Sequence, residues 1–382
     1  MRIDIKVKEN CCGCTACASI CPYNAITMVD DLSGFLYPKV DLSKCVDCGL
    51  CVKTCQFKKG YERYENFETP IVYAGRQKQL EEIAKSQTGG LAALIYENFL
   101  STGGCAYGVV FDSDQNIMFS CAKNVDETQQ FRGSKYVQAE IQNVFLQIKE
   151  YLKNSQKVLF IGSPCQVAGL KSYIPNRFHK ELLTVDLVCH CNTSPRLWKS
   201  YILYLEQKYH SKIVKADFRN KRFGWHKCLE TYNLANGKEI VTKSYDYLFF
   251  KHLSIRPSCT ICPFTNLHRV GDVTIGDYWG WEKNHVEWND DFGINLILIN
   301  SSKGTELLKL ITPKLDLIQT DTRDCLQPQL INPIQKNPLQ ENFFKDYHNK
   351  GIKYVLYKYG DLNYLFRFKR HLSCIKRKLL HL

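Results

Sequence analysis

The first 60 residues repeat one spacing of cysteines, and no other feature restricts so tightly what this chain can fold into. CCGCTACASICP, beginning at Cys11, and CVDCGLCVKTCQ, beginning at Cys45, are copies of one pattern about 34 residues apart, an internal repeat too short for a solenoid. In each copy two residues separate three cysteines in turn, and a fourth cysteine follows after three more. Three thiolates so spaced wrap three irons of a cubane from one tight loop, while the fourth points away and reaches the other cluster. The repeat therefore predicts crossed ligation: Cys11, Cys14, Cys17 and Cys55 on one 4Fe-4S cluster, and Cys45, Cys48, Cys51 and Cys21 on the other. Zinc takes four ligands in a closed site, and eight thiols in this rhythm suit two cubanes better.

The segment resembles a bacterial two-cluster ferredoxin, with two departures. Gln56 stands where proline is expected after the fourth cysteine, and Cys12 is an extra thiol, read here as a small buried filler. The opening MRIDIKVKENC has no apolar run, and stretches such as INLILIN at 294–300 are too short to cross a bilayer. A cytoplasmic location is expected, and in a reducing compartment 19 cysteines point to metal or thiol chemistry rather than a disulfide framework. The formal charge of +13 counts every cysteine as neutral, whereas each thiolate-ligated cluster adds roughly two negative charges. No nucleic-acid-reading motif accompanies the remaining positive charge, so nucleic acid is not an expected partner.

Residues 1–60 read as one small domain, followed by a polar linker KKGYERYENFETP at 58–70. From Ile71, strand-like runs (IVYAGR, AYGVVF, KVLFIG, ELLTVDLV, DVTIGD, INLILIN) alternate with amphipathic segments near 91–100, 139–153 and 195–209. Asn236-Gly237 marks a hairpin turn in ETYNLANGKEIVT. Alternation of this kind predicts an α/β (α+β) architecture, with a larger mixed-sheet domain at 71–320 and a helical, basic region at 321–382. In that last region Leu365, Phe368, Leu372, Ile375, Leu379 and Leu382 form one stripe of a helix whose other faces are basic. Such a helix lies on an anionic membrane, docks on an acidic partner, or packs on its own domain.

Several stretches of the larger domain carry chemistry. SQTGGLAALIYENFL, at 86–100, places a diglycine before a helix, where backbone amides can approach a phosphate or simply make a turn. FRGSKYVQ adds Gly133, Ser134, Lys135 and Tyr136, and VLFIGSPCQ sets Cys165 at a helix N-terminus, where a thiolate is stabilised. TGG at 88, GSKYVQ at 133, IGSPCQ at 161, VCHCNTSPRLW at 188, DFRNKRFGW at 217, RPSCTICPF at 256 and GDVTIGDYWG at 271 stand in the order of the matching segments in one family. In these the chain resembles the coenzyme F-420 hydrogenase/dehydrogenase beta-subunit family over about residues 71 to 310.

That resemblance implies an iron-sulfur flavoprotein with FAD and a further 4Fe-4S cluster in the larger domain. It implies that Thr88, Gly89, Gly90, Gly133, Ser134, Lys135 and Tyr136 belong to the flavin site, and that Cys259 and Cys262 join Cys165 and Cys189 around a third cluster. Cys191 competes with Cys189 for the fourth place, with Cys189 favoured by position; zinc, or Cys165 as a nucleophile, stays an alternative. Asp277, Tyr278, Trp279, Arg219, Lys221 and Trp225 are candidates for the flavin or substrate pocket, the tryptophans equally for core. His190 either shuttles a proton or braces the cluster loop, and Cys105, Cys121, Cys228, Cys325 and Cys374 read as small apolar residues.

The expected activity is a flavin-dependent oxidoreductase relaying electrons between a ferredoxin-type or deazaflavin donor, the 4Fe-4S clusters and FAD, and a small-molecule substrate. A ferredoxin or reductase subunit is the expected redox partner, and no catalytic acid or base is assigned. One alternative is a non-catalytic electron-transfer subunit of a larger complex. Another is a reductase in bacterial surface-polysaccharide biosynthesis, which the resemblance alone suggests.

Overall fold

The computed structural model describes residues 1–4, 6–59, 66–281 and 285–362. Most of the expected linker core (60–65), Cys374 and the apolar stripe from Leu365 onward lie outside these residues.

The cysteine-rich segment builds a two-stranded antiparallel sheet, β1 (Ile26–Asp30) with β2 (Leu36–Val40), flanked by the short helices α1 (Ala16–Ser19), α2 (Leu50–Thr54) and α3 (Gln56–Lys59). Gln56 thus opens a helix where proline was expected.

The larger part is α/β, as the alternating pattern predicts. Its strands and helices run β3 (Ile71–Gln77), α4 (Leu80–Ala84), α5 (Leu91–Ser101), β4 (Cys105–Phe111), β5 (Ile117–Ala122), α6 (Val144–Lys153), β6 (Val158–Gly162), α7 (Pro164–Tyr173), β7 (Leu182–Leu187) and α8 (Pro195–Tyr209). They continue with β8 (Ile213–Asp217), β9 (Glu230–Leu234), β10 (Glu239–Thr242), α9 (Ser244–Phe250), β11 (Val273–Asp277), β12 (Asn295–Ile299), α10 (Ser302–Ile311), β13 (Leu315–Thr320) and α11 (Gln340–Lys358).

Eight strands form one sheet in the order β13-β3-β12-β11-β7-β6-β4-β5. Its centre, β11, β7, β6 and β4, is parallel, and the outer pairs are antiparallel. Val158 and Phe160 of β6 join the core beneath α6 and α7, while Leu159 and Ile161 join the core with α5 and α10. That alternation covers both faces, which is why VLFIG and NLILI read as unbroken apolar runs and are buried throughout. A second, three-stranded antiparallel sheet holds the expected hairpin, with Gly237 in the left-handed region at its turn.

The parallel strands deliver their following loops to one edge, where α/β sheets place their sites. Cys165 follows β6, Cys189 follows β7, and Asp277 ends β11. One buried ion pair ties two of these loops together. Asp186 on β7 is fully buried and accepts from the Arg269 guanidinium (3.1 Å) and from the backbone N–H of Val270 (3.2 Å) and Gly271 (3.0 Å). Arg269 also donates to the carbonyls of Phe264 (2.6 Å) and Leu187 (3.0 Å), so the loop after Cys262 is pinned to the strand that leads to Cys189.

Removing one member of such a pair leaves the other charged and buried. R269M is therefore expected to lose about 3–5 kcal/mol of stability in urea denaturation; a loss under about 1 kcal/mol, as for an exposed pair, would contradict this role.

Candidate functional site

The sequence repeat recurs in the backbone. Gly13 (φ 68°) and Thr15 (φ 62°) in the first cysteine loop correspond to Asp47 (φ 54°) and Gly49 (φ 79°) in the second. Each loop thus takes two left-handed turns at the same places, although only one residue of each pair is the glycine that tolerates them freely. Gly13 is required twice over, since a Cβ there would meet Arg256 at 2.8 Å and Gln138 at 3.0 Å.

The folded loops sort the cysteines into two hollows. Cys11, Cys14, Cys17 and Cys55 line one, together with Cys12; Cys21, Cys45, Cys48 and Cys51 line the other. Each hollow is thus lined by four thiols of the repeat. Backbone N–H groups point at two sulfurs of the second hollow: Ile3 donates to Cys51 Sγ (3.2 Å) and Ala25 to Cys21 Sγ (3.4 Å). Among the described residues no three His, Cys, Asp or Glu side chains converge on a point that would hold a single metal ion. The second hollow is the outer one, with Cys48 exposed beside the exposed Val46 and Leu50.

A third group forms at the sheet edge. Cys189 lies within electrostatic reach of Cys165, Cys259 and Cys262, and Cys262 within reach of Cys259 and Cys165. Cys191 reaches only Cys259 and Cys189, and packs instead with Phe249 and Ile255. Ser163 caps α7 in a capping box and contacts Cys165 Sγ at 3.3 Å. Cys12, read as filler, is buried and lies beside both Cys14 and Cys165, between the first group and the third. Its nearness holds the Cys165 thiol down at about 7, whereas burial pushes Cys189 well up and Cys259 to about 11. His190 exchanges hydrogen bonds with His252 (2.9 Å) and Gln329 (2.7 Å), and burial lowers it to about 4, which keeps it neutral. Cys105 and Cys121 contact each other across β4 and β5, away from all three groups.

The residues expected around a flavin meet at the same edge. Gln87 joins the two segments, donating to the Arg219 carbonyl (2.8 Å) and accepting from the Ser134 N–H (3.3 Å). Thr88 Oγ1 donates to Asp277, which also accepts from Arg219 (2.8 Å) and Trp225 Nε1 (3.0 Å). Trp225 is buried and stacks on Trp279 at 4.6 Å, and Trp279 is 43% exposed. Tyr136 stacks on Phe249 at 4.6 Å. Lys135 Nζ is turned back onto the carbonyls of Phe131, Arg132 and Gly133, and Lys221 Nζ onto those of Ile83 and Thr88; burial lowers both lysines to about 7. Tyr278 belongs to a separate core with Trp281.

The diglycine serves packing rather than an open phosphate cradle. A Cβ on Gly89 would meet Arg76 and Asn295 at 2.8 Å, one on Gly90 would meet Gln77 at 2.8 Å, and the Leu91 N–H at the start of α5 is already bonded to Asn295 Oδ1 at 3.2 Å. Unpartnered polar atoms lie instead beside Tyr136 and Trp225. Arg219 Nε and both carboxylate oxygens of Asp246 are buried with no hydrogen-bond partner among the described residues. Asp246, which sequence reasoning missed, carries no motif, and only its place on α9 behind Tyr136 and Arg219 marks it.

Residues 10–59 match the family model of a 4Fe-4S dicluster domain, and residues 155–322 match that for the C terminus of the coenzyme F420 hydrogenase/dehydrogenase beta subunit. Among solved structures, a chain of the xenon-derivatised F420-reducing [NiFe] hydrogenase complex from Methanosarcina barkeri is 17% identical, with a TM-score of 0.48 over 77% of this chain and 92% of that chain. No curated protein sequence matches. The two family matches mark an iron-sulfur electron-transfer protein of the oxidoreductase class.

If Cys189 completes the third group, C189S loses about four irons per chain and C191S none. Iron analysis of oxygen-free protein decides this, and loss in C191S alone would transfer the role to Cys191.

Proposed function

We propose, for a chain that joins a 4Fe-4S dicluster domain to the C-terminal domain of the coenzyme F420 hydrogenase/dehydrogenase beta-subunit family, an iron-sulfur flavoprotein oxidoreductase. It moves electrons between a redox partner protein and a small-molecule substrate. When bound, the clusters carry single electrons and FAD gathers two for hydride-type chemistry.

The observation that carries this reading is the sorting of thiols into three groups of four, with the first and third in contact. Cys21, Cys45, Cys48 and Cys51 hold the outer cluster, where exposed Cys48 meets a partner surface. Cys11, Cys14, Cys17 and Cys55 hold the inner one, and Cys165, Cys189, Cys259 and Cys262 the third. Cys14 touches α7 at Gly169, where a Cβ would meet its Sγ at 2.8 Å, so the cysteine loop seats directly on the helix whose first turn carries Cys165.

The chain's own residues define the flavin end. Trp225 and Trp279 present stacked apolar faces, Tyr136 closes one wall, Arg219 with Asp277 supplies fixed charge, and Asp246 adds a carboxyl that burial pushes toward its neutral form. Thr88 holds Asp277 in place for Arg219. The carbonyls of 131–133 and the Gln87 bridge keep Gly133, Ser134 and Lys135 beside this wall.

Purified without oxygen, the protein is expected to contain about twelve irons, as much acid-labile sulfide, and about one FAD per chain. A count near eight irons would remove the third cluster, and flavin-free protein that binds no added FAD would remove the flavin.

A further inference from the structure

Arg256 is a buried charge beside the first cysteine group. It is 1% exposed, yet it forms no ion pair among the described residues. Its guanidinium donates from Nε to the Cys11 carbonyl (2.8 Å) and from its two terminal nitrogens to the Leu36 carbonyl (2.8 Å) and to Gln138 Oε1 (2.9 Å), and it contacts Cys11 Sγ at 3.8 Å. It also lies over the ring of Tyr37 at 4.5 Å. A buried cation without an anionic partner is costly. The sulfur it touches, Cys11 Sγ, belongs to the first cysteine group.

Its position in the chain adds a second relation. The Arg256 carbonyl accepts from the Cys259 N–H at 3.0 Å, so the residue that reaches into the first group also shapes the loop carrying Cys259 and Cys262 of the third. Gln138, which receives its guanidinium, donates in turn to the Cys12 carbonyl at 2.7 Å, beside the thiol that lies between the groups.

We propose that Arg256 is the built-in counter-charge for the first cysteine group, and that its fixed positive charge raises the reduction potential of the cluster held there, and to a smaller extent that of the third. The inference rests on the cluster assignment above. A positive charge beside a sulfur ligand favours the oxidation state that carries more negative charge, and charge and hydrogen bonds at sulfur are the terms by which a protein sets cluster potential. Electrons would then settle on the inner group rather than on the outer one.

The test uses oxygen-free full-length protein as wild type, R256K, R256Q and R256M, with iron counting and redox titration followed by electron paramagnetic resonance. In the neutral variants the potential of one cluster falls by at least tenfold in its reduction equilibrium, about 59 mV for a one-electron couple. A second shifts less, and the third stays unchanged. R256K keeps the charge without the fork, and it recovers most of the shift. Unchanged potentials in R256M or R256Q with iron retained overturn the inference, as does R256K moving as far as R256M. If neither neutral variant assembles clusters, R256K decides: assembly with lysine supports a required charge, and failure with lysine reduces Arg256 to a structural residue. Wild-type protein without iron-sulfur clusters sinks the cluster assignment itself, a result visible before any variant is made.

Discussion

The contact between Cys14 and Gly169 is what the rest of the structure depends on. With no side chain at 169 the first cysteine loop settles against α7, and even a methyl there would meet sulfur at 2.8 Å. That seating brings Cys12 against Cys165 and lets the Arg256 side chain reach Cys11. The small cysteine-rich segment is therefore part of the larger core: Ala16 and Cys14 pack with Phe145, Val167 and Leu170. A close-packed interior admits such an approach only if both surfaces are shaped for it, and Gly13 and Gly169 provide that shape from either side.

Strand direction supplies the other half of the arrangement. Because β4, β6, β7 and β11 run parallel, the loops that follow them emerge at one edge. Cys165, Cys189, Asp277 and the wall from 131 to 136 gather there, and Asn295 and Gln77 reach the same edge from neighbouring strands. The loop from 256 to 271 has no strand of its own to place it. Asp186 and Arg269 do so, at the expense of burying a charge pair that packed apolar residues would match for stability alone. What the pair contributes is position: Cys262 is held beside Cys189.

Charge is distributed along this path in a graded way. The outer hollow has exposed Cys48 and, beside it, the exposed ion pair of Arg2 with Asp47, which water screens. The inner hollow has a buried guanidinium, and the aromatic pocket has Arg219 held by Asp277. Fixed charge becomes less screened with depth, so each inward group feels the chain's own dipoles and cations more strongly.

The cysteine repeat, the alternation of strands and helices, the helix at 195–209 and the Asn236-Gly237 hairpin were all legible in the sequence, because they rest on spacings of a few residues that local geometry enforces. The diglycine at 89–90 was legible as a turn but not in its use, since what fills it comes from Arg76, Gln77 and Asn295 on other strands. Cys12, Gln138 and Arg256 stand inside the quoted stretches CCGCTACASICP, FRGSKYVQ and RPSCTICPF without these roles being legible there, and Asp246 stands in none of them. Their roles depend on which distant segments lie within a few ångströms after folding, and no local pattern encodes that distance. By itself the sequence determined the rhythm of thiols and the layers of the fold; which thiols face one another, and which buried charge stands between them, only the packing of the cysteine loops onto α7 and the parallel sheet edge decided.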